Sequence, residues 1–182
     1  DRDRPLPLSF AQQRLWFLDR LEGGNAQYNV PVALRLRGVL DEDALQSALD
    51  GIVERHEVLR TAYTEVGGEA VQVVHPAVGV PIVRIDLGSG AEDTREARLQ
   101  SLIGEDAAAV FDLSQSRPLR CTLVVLGEAE HALLFAMHHI ASDAWSMGVL
   151  VNEFVALYTA LAQGVAVDLP VLPVQYADYA VW

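Results

Sequence analysis

The chain has 182 residues, 51% hydrophobic and 21% charged, and its 13 Lys and Arg against 25 Asp and Glu give a formal net charge of -12. That composition belongs to a globular protein able to bury one sizeable core, and it excludes a disordered tail. The acidic balance argues against a nucleic-acid partner, which needs a basic face to neutralise phosphates.

No apolar run approaches the roughly 20 residues of a membrane span, so no membrane is expected. The start, Asp1-Arg2-Asp3-Arg4-Pro5, is not a signal peptide, and a beginning without Met is expected of a processed or excised segment. Cys121 is the single cysteine, which fits a reducing cytoplasm and a core-filling role.

In chain order, Ser9 and Gln12 form a capping box for a helix of about three turns, ending near Leu21. Leu15, Trp16, Leu18 and Leu21 give it a broad apolar face, leaving Gln13, Arg14 and Arg20 for a cleft or for solvent. After Gly23-Gly24-Asn25, residues 28–37 alternate, with Val30, Val32, Leu34 and Leu36 on one side, which predicts a half-buried strand. Asp41 is the expected N-cap of a second helix that buries Leu45, Leu49, Ile52 and Val53 and ends around His56. Residues 60–66 and 70–74 flank Gly67-Gly68 and read as a β-hairpin, followed by a short strand over 82–86. Residues 92–110 predict a third helix with Leu99, Leu102, Ile103 and Val110 inward.

Residues 119–126 and 131–138 read as a central hairpin, apolar on both faces as in a covered sheet. A helix from about Ser146 to Gln163 packs Val149, Leu150, Phe154, Leu157 and Leu161, and Gly164 ends it. Residues 168–173 form a crossing loop, and the helix after it is cut off at Trp182. Strands interleaved with amphipathic helices imply an α/β sandwich with a mixed sheet.

The other elements are arranged around Met137-His138-His139-Ile140-Ala141-Ser142-Asp143-Ala144-Trp145-Ser146. An apolar strand ends in two histidines, a short polar loop carries an aspartate, and a helix begins. Side chains alternate along a strand, so His139 shares a side with Phe135 and Met137, and His138 with Leu134 and Ala136. The two imidazoles therefore have different jobs. The same parity argues against a metal, because adjacent strand residues do not converge on one ion and no other His, Cys or acidic cluster has ligand spacing. For an isolated pair, two hydrogen-bonded core histidines would be the ordinary reading. The carboxylate four residues past His139 adds an orienting charge beside free backbone N–H groups at a helix start, a setting for a developing oxyanion.

Three further stretches accompany this one: Ser9-Phe10-Ala11-Gln12-Gln13-Arg14-Leu15-Trp16, Arg55-His56-Glu57-Val58-Leu59-Arg60-Thr61 and Tyr176-Ala177-Asp178-Tyr179-Ala180-Val181-Trp182. Together the four resemble, in order, the first four motifs of the condensation domain of non-ribosomal peptide synthetases, whose core motif reads His-His, three residues, Asp-Gly. The resemblance implies a chloramphenicol-acetyltransferase-like two-layer sandwich, a mixed β-sheet covered by helices. The family's later motifs lie in a second lobe. Residues 1–182 are therefore expected to be the N-terminal lobe of a two-lobed domain, with 168–182 crossing toward an absent C-terminal lobe.

The implied activity is attack of an acceptor α-amine on a donor thioester, both delivered on phosphopantetheine arms by peptidyl carrier proteins beside an adenylation domain. No cofactor is bound directly. His139 is the implied catalytic residue, since an imidazole is largely neutral near pH 7 and accepts a hydrogen bond or a proton; general base and amine-positioning group are both open to it. His138 is assigned a structural hydrogen bond. Asp143 either orients His139, as in a triad, or forms the loop-shaping salt bridge that the family implies, with Arg60 its natural partner and Arg55 the alternative. Breaking such a buried pair would cost roughly 3–5 kcal/mol.

Arg14, Trp145 and Ser146 are candidates to line the channel. Ala144 stands where the family has glycine; its backbone N–H is the implied oxyanion contact, and the alanine is mild only if φ there is negative. The first motif resembles the subtype accepting donors that end in an L-amino acid. Epimerisation and heterocyclisation do not suit these motifs, and the lobe by itself is expected to be inactive. Two other readings stand beside amide formation: a non-catalytic recruitment or scaffold module, and an acyltransferase that forms esters or takes a free acceptor.

Overall fold

The computed structural model describes residues 2–88, 90–115, 117–167 and 169–182. A short strand, β1 (Leu6–Pro7), leads into α1 (Phe10–Glu22). The Ser9 hydroxyl accepts the Gln12 N–H at 3.2 Å and the Gln12 side chain accepts the Ser9 N–H at 3.0 Å, satisfying donors that a helix start leaves over. Leu15 and Trp16 pack inward, but Leu21 is 70% exposed, contrary to the apolar face expected of it. The buried residue of α1 is Gln12, whose amide donates to the Tyr63 hydroxyl at 3.3 Å.

β2 (Asn29–Arg37) turns Val30, Val32, Leu34 and Leu36 to the core, and as an edge strand it tolerates Pro31. α2 (Glu42–Arg55) is capped by the Asp41 carboxylate, which accepts the Ala44 N–H at 2.9 Å. β3 (Thr61–Val66) and β4 (Glu69–Val74) form the hairpin, turned at Gly67 and Gly68 with φ of 63° and 86°. This hairpin does not join the main sheet. It pairs with β1 in a separate three-stranded sheet of order β1-β4-β3, through two residue pairs, Leu6 with Gln72 and Pro7 with Val71.

The main sheet adds β5 (Ile82–Asp86), β6 (Leu119–Gly127) and β7 (Glu130–His138) in the order β2-β7-β6-β5. β7 is antiparallel to both neighbours while β5 runs parallel to β6, so the sheet is mixed. The crossover helix α3 (Glu92–Ala108) lays Leu99 and Leu102 on Val124, Leu126, Ala132 and Leu134. It ends before Val110, which is exposed rather than inward. On the opposite face α2 and α4 (Ala144–Gln163) cover Leu133, Phe135 and Met137. Helices thus cover both faces, which is why β6 and β7 are apolar on each side.

α4 begins two residues before the start the sequence predicts, because Asp143 caps it, and Val149 and Leu161 are exposed. It is also long and apolar enough, by length and composition, to cross a membrane, which corrects the reading that no run comes close. One face of it packs on the sheet, where Met147, Leu150 and Phe154 are buried, and Glu153 in its middle is ion-paired to Arg55 of α2. A last helix, α5 (Tyr176–Val181), follows the crossing loop, whose expected first residue, Asp168, lies outside the described residues.

Candidate functional site

β7 ends at His138, opposite Asn29 of β2, and the chain then turns. The His139 N–H donates to the Tyr28 carbonyl at 2.7 Å and the Ala141 N–H to the His138 carbonyl at 3.0 Å. His138 is fully buried; its Nδ1 accepts the Ile140 N–H at 3.1 Å, and the rings of Tyr28 and Phe111 lie 6.2 Å away. Burial, with the neighbouring His139 adding to it, lowers the His138 pKa to about 4. The ring is neutral at pH 7 and holds the turn.

His139, one residue past the strand, is exposed. Its Nδ1 bonds to the Ser142 carbonyl, and the Ser142 hydroxyl donates back to the His138 carbonyl at 3.3 Å. A carbonyl only accepts, so Nδ1 carries the hydrogen and, in the neutral ring, Nε2 keeps the lone pair.

Asp143 is the N-cap of α4. Its carboxylate accepts the Ser146 N–H at 2.7 Å and its own N–H donates to the Ser146 hydroxyl at 2.7 Å. These Ser146 bonds, with smaller help from His139 and the Trp145 N–H, hold its pKa below the usual carboxylate range. Neither arginine expected at Asp143 reaches it: Arg60 donates to the His75 carbonyl and faces Glu57 at 3.9 Å, and Arg55 forks Glu153 at 3.1 and 3.2 Å. The expected salt bridge is a helix cap instead, because a carboxylate at this position meets the free N–H groups of its own helix first. The triad alternative also fails, since Ser142 occupies the His139 nitrogen that Asp143 would have needed.

Ala144 is the first residue of α4. Among the described residues no non-glycine has a positive φ, so the alanine stands without backbone strain. Its N–H is one of the four at a helix start that no carbonyl within the helix can satisfy.

A cavity of about 720 Å³ brings His139 and Asp143 together. His139, Asp143, Trp145 and Ser146 line one wall, Arg14, Leu15 and Leu18 of α1 another, and Tyr28, Val58 and Tyr176 border the rest. Trp145 is 82% exposed, and Arg14 is an exposed arginine shared with a neighbouring groove. Arg55, Arg60 and Ala144 are not among its lining residues. His56 is, and sequence reasoning missed it: its Nε2 bonds to Glu153 at 2.6 Å, a partner 97 residues away that no local pattern announces.

A family model described as the condensation domain matches residues 3–182. One of the linear gramicidin synthase proteins of Brevibacillus parabrevis is 50% identical over 181 residues, which is 100% of this chain and 4% of that protein. The chain spans 2% to 4% of the length of such synthetase relatives. The X-domain from teicoplanin biosynthesis, also solved in complex with OxyB, superposes with a TM-score of 0.87 at 36% identity, covering 100% of this chain and 38% of that one. SgcC5 from Streptomyces globisporus, in complex with (R)-(-)-1-(2-naphthyl)-1,2-ethanediol and sucrose, gives 0.81 at 32% identity over 97% of this chain and 41% of its own. With the site geometry and the mixed-sheet fold, these likenesses place the chain in the condensation-domain family of non-ribosomal peptide synthetases.

Proposed function

We propose that this chain, within its complete domain, catalyses amide formation between a carrier-bound donor acyl or peptidyl thioester and the α-amine of a carrier-bound aminoacyl thioester. The observation that carries this is His139, with Nδ1 held by the Ser142 carbonyl and Nε2 left with a lone pair on a cavity wall. The acceptor nitrogen attacks the thioester carbonyl carbon, the C–S bond breaks, and a proton from nitrogen ends on the departing sulfur. An N–H donated to Nε2 orients the amine and gives that proton a path through the ring. Ala144 lies between the lining residues Asp143 and Trp145, and its N–H at the start of α4, in the field of the helix dipole, is the donor within reach of the cavity edge for the oxyanion that forms in between.

Phosphopantetheine arms of donor and acceptor peptidyl carrier proteins bring the substrates, and an adenylation domain stands alongside, in a reducing cytoplasm where Cys121 remains a thiol. Residues 1–182 are the N-terminal lobe. The exposed Trp145 on the cavity wall gives a C-terminal lobe a surface to cover, and the lobe by itself is inactive.

Two likenesses support other readings. The teicoplanin X-domain with OxyB favours recruitment of a partner enzyme, and SgcC5 with its diol favours a free acceptor and an ester product. One assay separates the three: a donor-loaded carrier offered to the complete domain with an aminoacyl-loaded carrier, a free amine or a free alcohol. Amide on the acceptor carrier supports the proposal, ester from the free alcohol supports the second alternative, and no product with tight partner binding supports recruitment.

A further inference from the structure

His139 shares its cavity with a second imidazole. His56, at the C-terminal end of α2, lines the same space. Its Nε2 is 2.6 Å from the Glu153 carboxylate, which Arg55 forks at 3.1 and 3.2 Å. Arg55 in turn donates to the Pro170 carbonyl, and the Gln175 side chain ties the Arg55 carbonyl at 2.8 Å to the Glu57 N–H at 3.1 Å. The His56, Glu153 and Arg55 side chains are 15–20% exposed, so the ring is held from several sides. Burial pushes the Glu153 carboxyl up, but the bonds from His56 and Arg55 outweigh it and keep it ionised. A carboxylate only accepts, so Nε2 of His56 carries hydrogen and Nδ1 is the ring's remaining acceptor. The charged groups around it are Arg55 and Glu57 on its own flank, Glu153 on α4 and Arg2 on Glu57. Arg14, Asp143 and His139 line the same cavity.

An α-amine, with an ordinary pKa of about 7.7–8.0, reaches such a site mostly as an ammonium. To become an amide nitrogen it sheds two protons, the first before attack and the second to sulfur. One Nε2 lone pair does not hold both at once. We propose that His56 takes the first. The ammonium N–H bond breaks, its electron pair stays on nitrogen as the attacking lone pair, and a hydrogen bonds to Nδ1 of His56. Glu153 meets the charge of the resulting imidazolium, and the proton passes to solvent before the next turnover. His139 serves the second proton. Glu153 and Arg55 are positioning residues. The division of labour rests on the amide-forming reading above.

The test uses the complete condensation domain and two acceptor-loaded carriers, one with an ordinary α-amine and one with its aminooxy analogue, whose nitrogen arrives unprotonated. With the ordinary acceptor at pH 7, His56→Gln is expected to slow amide formation by about tenfold or more. The deficit closes at pH 9 and is absent for the aminooxy acceptor. His139→Ala, with its fold verified, loses product from both acceptors at both pH values. Glu153→Gln repeats the His56→Gln pattern and serves where that variant does not fold. Equal slowing of both acceptors at every pH, or no slowing, overturns the assignment to His56. Absence of amide from the unmodified domain with either acceptor overturns the amide-forming reading itself.

Discussion

Replacing Asp143 with alanine removes the acceptor of the Ser146 N–H, 2.7 Å away at the first turn of α4. Losing an N-cap carboxylate costs roughly 0.5–2 kcal/mol, typically about 1, whereas breaking a buried ion pair costs roughly 3–5 kcal/mol. Asp143 is exposed and both arginines in question are engaged elsewhere, so the lower figure applies. Amide hydrogen exchange in the first turn of α4, measured in the complete domain, should then lose protection by about fivefold, since 1.4 kcal/mol is tenfold. Asp143→Asn, an equally good cap, should change it little. The folded carboxyl titrates below its ordinary range, so the charged cap contributes fully above about pH 4 and fades as pH falls through the folded value. Asp143→Asn should be flat there. Losses of roughly hundredfold that extend into β7 and α2 would signal a buried ion pair after all and refute the capping account.

Gln12→Ala strands the Ser9 N–H and the buried Tyr63 hydroxyl, so it should lower stability by about 1–3 kcal/mol in urea unfolding, more than the exposed cap does; a smaller effect than Asp143→Ala would contradict this. His138 makes the fold acid-sensitive. Its pKa is about 4 folded and near 6.5 unfolded, so its stabilisation is complete above pH 6.5 and falls between pH 6.5 and 4 by up to about 1.4 kcal/mol per pH unit. His138→Asn, which keeps an acceptor for the Ile140 N–H, should flatten that slope, and an unchanged slope would count against it. Burial, then the charge of Asp106, pushes the Cys121 thiol up to about 12, so iodoacetamide at pH 8 should label it only in denaturant. Rapid labelling of the native domain would show that the β6 core opens.

What the sequence made legible was local. The Ser9–Gln12 capping box, the Asp41 cap and the Gly67-Gly68 turn each rest on residues within a few positions of one another, and each helix or hairpin lies where those signals put it. Strand alternation holds up to His138, the last residue of β7, whereas His139 lies one residue beyond it, in the turn. The misses are long-range. The arginine partner of Asp143 is what the family resemblance implies, yet α4's own backbone competes for the carboxylate and wins. Gln12 was read as a capping residue only, and its burial against Tyr63 needed the β1-β4-β3 sheet to close over it. His56 looked like part of a helix end until Glu153, on another helix, turned it into a fixed ring beside the cavity.

The most direct test of the central claim is amide formation by the complete condensation domain between a donor-loaded and an acceptor-loaded carrier protein, comparing the native chain, Ala144→Gly and His139→Ala. The negative φ at Ala144 predicts that the native chain forms product at a rate within about tenfold of Ala144→Gly, a backbone effect of roughly 0.5–1 kcal/mol. Folded His139→Ala should form none. Product from His139→Ala at the native rate, or no product from the native chain and Ala144→Gly across matched substrates, would contradict the assignment of His139 as the group that serves the amine.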